Sequence, residues 1–365
     1  MSNNNSMKRI NIRKAALIGA TISLAVYLSI SIIFGVKPKE ILSLGTEAIV
    51  ISIILVLCRL IIQGVRFHII AKQLDNSKQL DISSNIMVRI GSEFISLITP
   101  SYLGGEAIRI AFLRKKGIKT GEAIWSSYLE IFYDVIFASL ASLAAISYAI
   151  YLGANQIAIL VLVTTIPSLA FFLTVTILSR KGKVKLPEIV IRILKRIAGK
   201  RITNAVEIRI KEATESYGKA AGSFLGSSSI KNFTALCILS AMKVILAGAI
   251  FLVVLQEFGV ESNLFISTIL VYSSIAISSL PITPGGSGLS EFGMSLFLSS
   301  IYNQKLWSAI IIWRMLSYYL PVIISALCLD LQNFSISFGS HCPSESIINK
   351  YFALAFLIPE ITAFE

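Results

Sequence analysis

Arg89 and Glu93 are four residues apart, Glu106 and Arg109 three apart, and Glu130 and Asp134 four apart, all within or beside apolar sequence. Lys243, Glu291 and Arg314 are further charges in otherwise apolar runs. A charge at the centre of a bilayer costs at least about 2.5–3.5 kcal/mol on insertion scales, so such side chains face a bundle interior or water. Helical spacing puts each close pair on one face. Arg89–Glu93 reads equally well as a structural ion pair. Glu130–Asp134 does not: two like charges on one face repel and invite a cation between them. Arginine is the side chain suited to phosphate, because its planar fork binds two oxygens at once. Arg109 and Arg314 are the candidates for that role.

The elements that must position these groups are two broken apolar segments that repeat one another. Residues 96–106 read Ser-Leu-Ile-Thr-Pro-Ser-Tyr-Leu-Gly-Gly-Glu, and 279–291 read Ser-Leu-Pro-Ile-Thr-Pro-Gly-Gly-Ser-Gly-Leu-Ser-Glu. Broken backbone at membrane depth is tolerated only where protein or a watery cavity satisfies its polar groups. Matching breaks in two halves of a membrane protein point to its binding site. Glycine turns feeding a helix N-terminus can offer N–H groups to an anion. The glycines could serve close helix packing alone, but packing does not call for Thr-Pro and a carboxylate in both copies. The candidate head-group site is therefore Thr99, Pro100, Gly104, Gly105, Glu106, Arg109, Glu130, Asp134, Thr283, Pro284, Gly285, Gly286, Gly288, Glu291 and Arg314.

Composition places all of this in a membrane. Hydrophobic residues make up 55% of the 365-residue chain and charged ones 15%, far from a soluble average. Spanning helices are expected near 13–35, 43–68, 122–152, 155–179, 231–256 and 305–331, with broken segments near 84–115 and 263–303. The fold class is an all-α polytopic integral membrane bundle: about six full spans and two re-entrant segments in an inverted repeat. The first run is too long for a signal-peptide core of roughly 7–15 residues. Residues 1–332 read as a single transmembrane domain and 333–365 as a short tail, whose apolar stretch Tyr351 to Pro359 is too short to span. The scattered cysteines and two histidines lack ligand spacing, so neither a metal nor a disulfide framework is expected.

The net charge of +13 concentrates before the first span and in a basic loop over 180–230. The positive-inside rule makes both cytoplasmic, N-terminus included. Leu186 to Glu215 reads as an amphipathic helix on the membrane surface. Anionic lipid, not nucleic acid, is the expected partner of these cations. With that orientation the first broken segment starts and returns inside and the second starts and returns outside, so their Thr-Pro tips meet near the midplane.

Gly104-Gly105-Glu106 with Arg109, the Glu130/Asp134 pair, Pro281-Ile-Thr-Pro-Gly-Gly-Ser-Gly with Glu291, and Arg314 with Tyr318 and Pro321 resemble a known family. It is the lysylphosphatidylglycerol-synthase transmembrane, or flippase-like, family, which includes the membrane half of the bacterial multiple-peptide-resistance factor. The resemblance runs over roughly 10–332, with its two glycine motifs about 180 residues apart. It implies a cell-membrane protein that handles or translocates a lipid with a charged head group. Ser101-Tyr102-Leu103 departs from the smaller or more polar stretch expected there. The resistance factor also carries a soluble aminoacyl-transferase domain, for which 333–365 is too short, so lipid aminoacylation by this chain alone is not expected.

The expected function is binding and translocation of an anionic-head-group lipid, a phospholipid or polyisoprenoid phosphate. The alternative is a non-catalytic subunit that presents such a lipid to a separate synthase or glycosyltransferase. A transferase using a divalent cation at Glu130/Asp134 is a weaker third, because no Asp-Asp-x-x-Asp run, nucleotide loop or nucleophile constellation accompanies the pair. No cofactor is expected.

Overall fold

Breaks in the apolar sequence decide the architecture. In the computed structural model, the described residues are 44–74, 80–99, 104–180, 215–220, 230–280, 283, 285–302 and 306–337, with isolated positions at 21, 25, 29, 32, 212 and 222. They form helices α1 (Thr46–Ala71), α2 (Ile82–Ile98), α3 (Gly105–Lys115), α4 (Thr120–Tyr151), α5 (Asn155–Arg180), α6 (Ile230–Glu257), α7 (Leu264–Ser278), α8 (Leu289–Tyr302), α9 (Trp307–Arg314) and α10 (Leu320–Ser337). A π-helical turn, Met315–Tyr319, joins the last two. Five segments are long and apolar enough to cross a membrane: Thr46–Ala71, Thr120–Tyr151, Asn155–Leu178, Ile230–Glu257 and Trp307–Leu329. These coincide with five of the six expected spans. The sixth, 13–35, lies almost wholly outside the described residues, as do the expected amphipathic helix and most of the C-terminal tail.

Both broken segments fold as helical hairpins. Asp81 caps α2 by accepting from the Ser84 N–H at 3.0 Å, and Asn263 caps α7 by accepting from Ile266 N at 2.9 Å. Such caps satisfy donors that the first helical turn cannot use internally. Thr99 ends α2 in an extended conformation (φ −101°, ψ 149°), the backbone a residue is driven to when proline follows. The chain then turns back into α3, and Arg109 Nη1 donates across the hairpin to Ser92 Oγ at 3.2 Å. In the second hairpin, Ser274 Oγ on α7 donates to the Ser290 carbonyl on α8 at 2.6 Å.

The hairpins enter from opposite ends of the bundle. Gly45 N, before α1, donates to Glu257 at the end of α6 at 2.7 Å, which marks one end. From there α1 runs across, and α2–α3 starts and finishes at the far end. After α4, α5 and α6 have crossed in turn, α7–α8 starts and finishes at the Gly45 end. The two tips meet between them: Gly285 N reaches the Thr99 carbonyl at 3.5 Å, and Tyr318 Oη donates to the Leu97 carbonyl at 2.8 Å. Around the tips an apolar core that includes Val56, Phe251, Leu270, Met294 and Trp313 closes the bundle.

Candidate site: a charged cavity at the hairpin tips

The cavity is assembled from the charges that the spans could not leave facing lipid. Asp134 on α4 accepts from Arg66 of α1 at 2.5 Å and from Lys243 of α6 at 2.7 Å, so one carboxylate ties three helices. One turn earlier, Glu130 accepts from Arg89 of α2 and lies 3.3 Å from Arg109 Nε of α3. Arg89 also holds Glu93 at 2.5 Å, and Arg109 holds Glu106 at 2.9 Å. Arg314, at the end of α9, donates from Nε to Glu291 at 3.0 Å and from Nη2 to the Gly285 carbonyl, and stacks over the Tyr318 ring at 4.2 Å. Arg66, Arg89, Arg109, Lys243 and Arg314 are thus matched by Glu93, Glu106, Glu130, Asp134 and Glu291. A buried charge needs such pairing, because leaving water costs each ion several kcal/mol.

All of these charged groups except Arg66 and Glu291 line a cavity of about 320 Å³, partly open, whose lining also includes apolar Ile131, Val135, Val244 and Ile275. Its size is at the lower end of the range of about 300–1,000 Å³ usual for ligand sites.

Five of the residues expected at the site line this cavity: Glu106, Arg109, Glu130, Asp134 and Arg314. Thr99, Gly104, Gly105, Gly285, Gly286, Gly288 and Glu291 do not line it. They build its support and, like the half-buried Thr283, belong to the hairpin tips. Pro100 and Pro284 lie outside the described residues. Arg89 and Glu93 form the expected ion pair, yet both also line the cavity.

The glycine turns differ from expectation in one respect. Their N–H groups do not line the cavity as a cradle for an anion. Gly104 N donates to Thr99 Oγ1 at 3.0 Å and Gly105 N to Ser96 Oγ at 3.1 Å. Gly288 N donates to Glu291 Oε2 at 2.8 Å, and Gly286 N to the Thr283 carbonyl at 3.2 Å. The chemistry of a broken helix explains this: each freed donor must find an acceptor inside the protein, and the Ser, Thr and Glu beside the glycines provide it. The divalent cation considered for Glu130/Asp134 is likewise displaced by side chains, since Arg66, Arg89, Arg109 and Lys243 neutralise both carboxylates.

Sequence reading missed two cations. Arg59 lines the cavity, and Arg66, fully buried, anchors Asp134. They are seven apart in α1, hence on one face, inside a run otherwise apolar enough to span. The rule that singled out Lys243 and Arg314 applied equally to them.

Paired broken hairpins meeting at a charged interior cavity, inside a bundle of apolar spans, define a polytopic membrane protein with an inverted repeat. The chain belongs to the family described as the lysylphosphatidylglycerol synthase TM region, which it matches over residues 17–325. It is also 20% identical over 254 residues to a protein named "UPF0104 membrane protein" from Archaeoglobus fulgidus, covering 67% of this chain and 75% of that one.

Proposed function

We propose that this protein binds the anionic head group of a lipid in the cavity at the hairpin tips and translocates that lipid between leaflets. The observation that carries the reading is the mixed lining of the cavity. Arg89, Arg109, Lys243 and Arg314 share it with apolar Ile131, Val135, Val244 and Ile275. An amphiphile satisfies both; a small soluble anion would leave the apolar lining unused. Inverted hairpins around a central site are also the arrangement in which one repeat rocks against the other to expose the site alternately.

Reconstitution of the full chain into vesicles tests it. A labelled anionic phospholipid should exchange between leaflets faster than a zwitterionic one with the same label. Gly286→Val should abolish the difference, because it disturbs the tip without touching the cavity's charges. Binding of the anionic lipid without accelerated exchange would replace transport by the second reading, a subunit that presents lipid to a separate synthase or glycosyltransferase. Family membership is compatible with that outcome, since the family is named for the membrane region of a synthase.

A further inference from the structure

Three carboxylates divide two guanidiniums at the first hairpin. Glu93 and Glu130 both meet Arg89, and Glu130 and Glu106 both meet Arg109. Glu130 is the middle member: from α4 it joins α2 to α3, and its side chain is 1% exposed. Two carboxylate oxygens of this array, Glu106 Oε2 and Glu130 Oε2, are buried with no hydrogen-bond partner among the described residues. The acids outside the array differ. Asp134 accepts on both oxygens, from Arg66 and Lys243. Glu291 accepts from Arg314 on one oxygen and from Gly288 N and Ser290 Oγ on the other.

We propose that Glu130 is a proton-accepting site, and that an anion crosses through this cavity together with one proton. This rests on the lipid reading above and adds what moves with the lipid. Arg89 and Arg109 line the cavity, and both are already engaged by Glu130. An anion that takes either guanidinium therefore competes with that carboxylate. A buried carboxylate that loses its cations is neutralised, because an isolated ion in a low-dielectric interior costs far more than a protonated acid. The balance is one for one: a negative charge enters, a proton joins a Glu130 oxygen, and the net charge of the array is unchanged. When the anion leaves, the arginines close on Glu130 again and the proton departs. Glu93 and Glu106 each depend on one of these arginines, whereas Glu130 is the acid that an anion on either one disturbs. The charged groups set around Glu130 are Arg66 on α1, Arg89 and Glu93 on α2, Arg109 and Glu106 on α3, Asp134 one turn along α4, and Lys243 on α6. Arg59 and Arg314 also line the cavity, and α5 and α7 bring to its lining no titratable group but the Tyr272 phenol.

Two measurements on the full-length chain test this. Phosphatidylglycerol serves as the probe, since its phosphodiester keeps one charge near neutral pH. In neutral detergent its binding enthalpy is measured in buffers of different ionisation enthalpy. Wild type should take up close to one proton per lipid bound, and infrared difference spectra should gain a protonated-carboxyl band. Glu130→Gln should lose that band, and Glu106→Gln should keep it. In reconstituted vesicles, a trace of labelled phosphatidylglycerol should collect in the leaflet on the alkaline side, about tenfold per pH unit, and a proton ionophore should abolish the bias. A membrane potential without a pH difference should leave the label evenly distributed, because the pair carries no net charge.

Binding without proton uptake overturns the proposal on wild type alone, whatever the stability of the variants. The band lost in Glu106→Gln and kept in Glu130→Gln overturns the assignment to Glu130. Lipid exchange that follows the membrane potential and ignores the pH difference overturns proton coupling and leaves anionic-lipid translocation standing. Proton uptake on binding with no exchange in vesicles overturns the joint crossing and favours the subunit that presents lipid. Neither binding nor exchange of the anionic lipid overturns the lipid reading itself, and this proposal with it.

Discussion

At the scale of single residues, the interior charges are a network and not a set of separate pairs. Asp134 is held by two cations, Arg66 and Lys243, whereas Lys243 pairs with Asp134 alone among the described residues. Removing a buried charge strands its partners, at a cost of about 3–5 kcal/mol. Asp134→Leu leaves two cations without their acid, and Lys243→Met leaves Asp134 still paired with Arg66. The first should therefore lower the unfolding temperature in detergent clearly more than the second; equal losses would show that Arg66 does not sustain Asp134 on its own. Arg109→Lys follows from the same geometry. The guanidinium serves Glu106, Glu130 and Ser92 at once, and an ammonium on a flexible stem cannot occupy all three positions. The loss of one or two charge-assisted bonds, about 1.5–3 kcal/mol each, makes this a stability variant as well as a binding variant.

At the scale of elements, the hairpin tips are where small changes are costly. Gly286 has φ +62°, and a Cβ there would sit 2.6 Å from the Ser278 Cβ. Gly117 has φ +85°, and a Cβ added there would meet nothing within 4 Å. Gly117→Ala meets backbone strain alone, about 1 kcal/mol, while Gly286→Ala adds a collision inside the hairpin. Thermal unfolding of the two variants should separate strain from packing, with Gly286→Ala the more damaging. At the other end of the first hairpin, the Ser84 N–H holds the Asp81 carboxyl below the usual carboxylate range. A depressed folded value stabilises the cap above the unfolded value near pH 4, and that contribution is lost as pH falls through the folded value. Amide exchange at 82–86 should therefore stay protected at neutral pH and loosen only in acid. Asp81→Asn, which keeps a capping oxygen but cannot titrate, should remove that acid dependence.

At the scale of the whole molecule, the prediction concerns sidedness. The exposed positions Lys115, at the end of the first hairpin, and Ser300, near the end of the second, should lie at opposite membrane faces. In a background without native cysteines, Lys115→Cys and Ser300→Cys should react with an impermeant thiol reagent from opposite sides of oriented vesicles. Reaction from the same side would exclude the inverted pair. The packing explains why the opposed arrangement holds together. Arg314 and Tyr318 come from one helical segment, yet they clasp the Gly285 and Leu97 carbonyls of different hairpins. The π-helical turn at Met315–Tyr319 begins directly after Arg314 and carries Tyr318, and such turns often occur at functional sites.

Sequence by itself determined five of the spans, the two breaks and the need for an interior polar site. Those follow from local quantities: length of apolar run, the backbone demand of Thr99 before Pro100, and the cost of a charge in hydrocarbon. Legible in the same way were Glu106, Arg109, Glu130, Asp134 and Arg314 as interior groups. Tertiary structure alone decided which charge answers which. Glu130 meets Arg89 and Arg109, and Asp134 meets Arg66 and Lys243, across helices far apart in sequence. It also decided that the glycine N–H groups are used within the tips, because the Ser96 and Thr99 hydroxyls that accept them come into reach only when the hairpin closes. Pairing is a matter of distances between elements, and helical periodicity carries no information about which neighbour a face will meet. That is why Arg59 could be seen as a charge in a span, but only the folded bundle shows it facing the cavity with every nearby carboxylate already engaged.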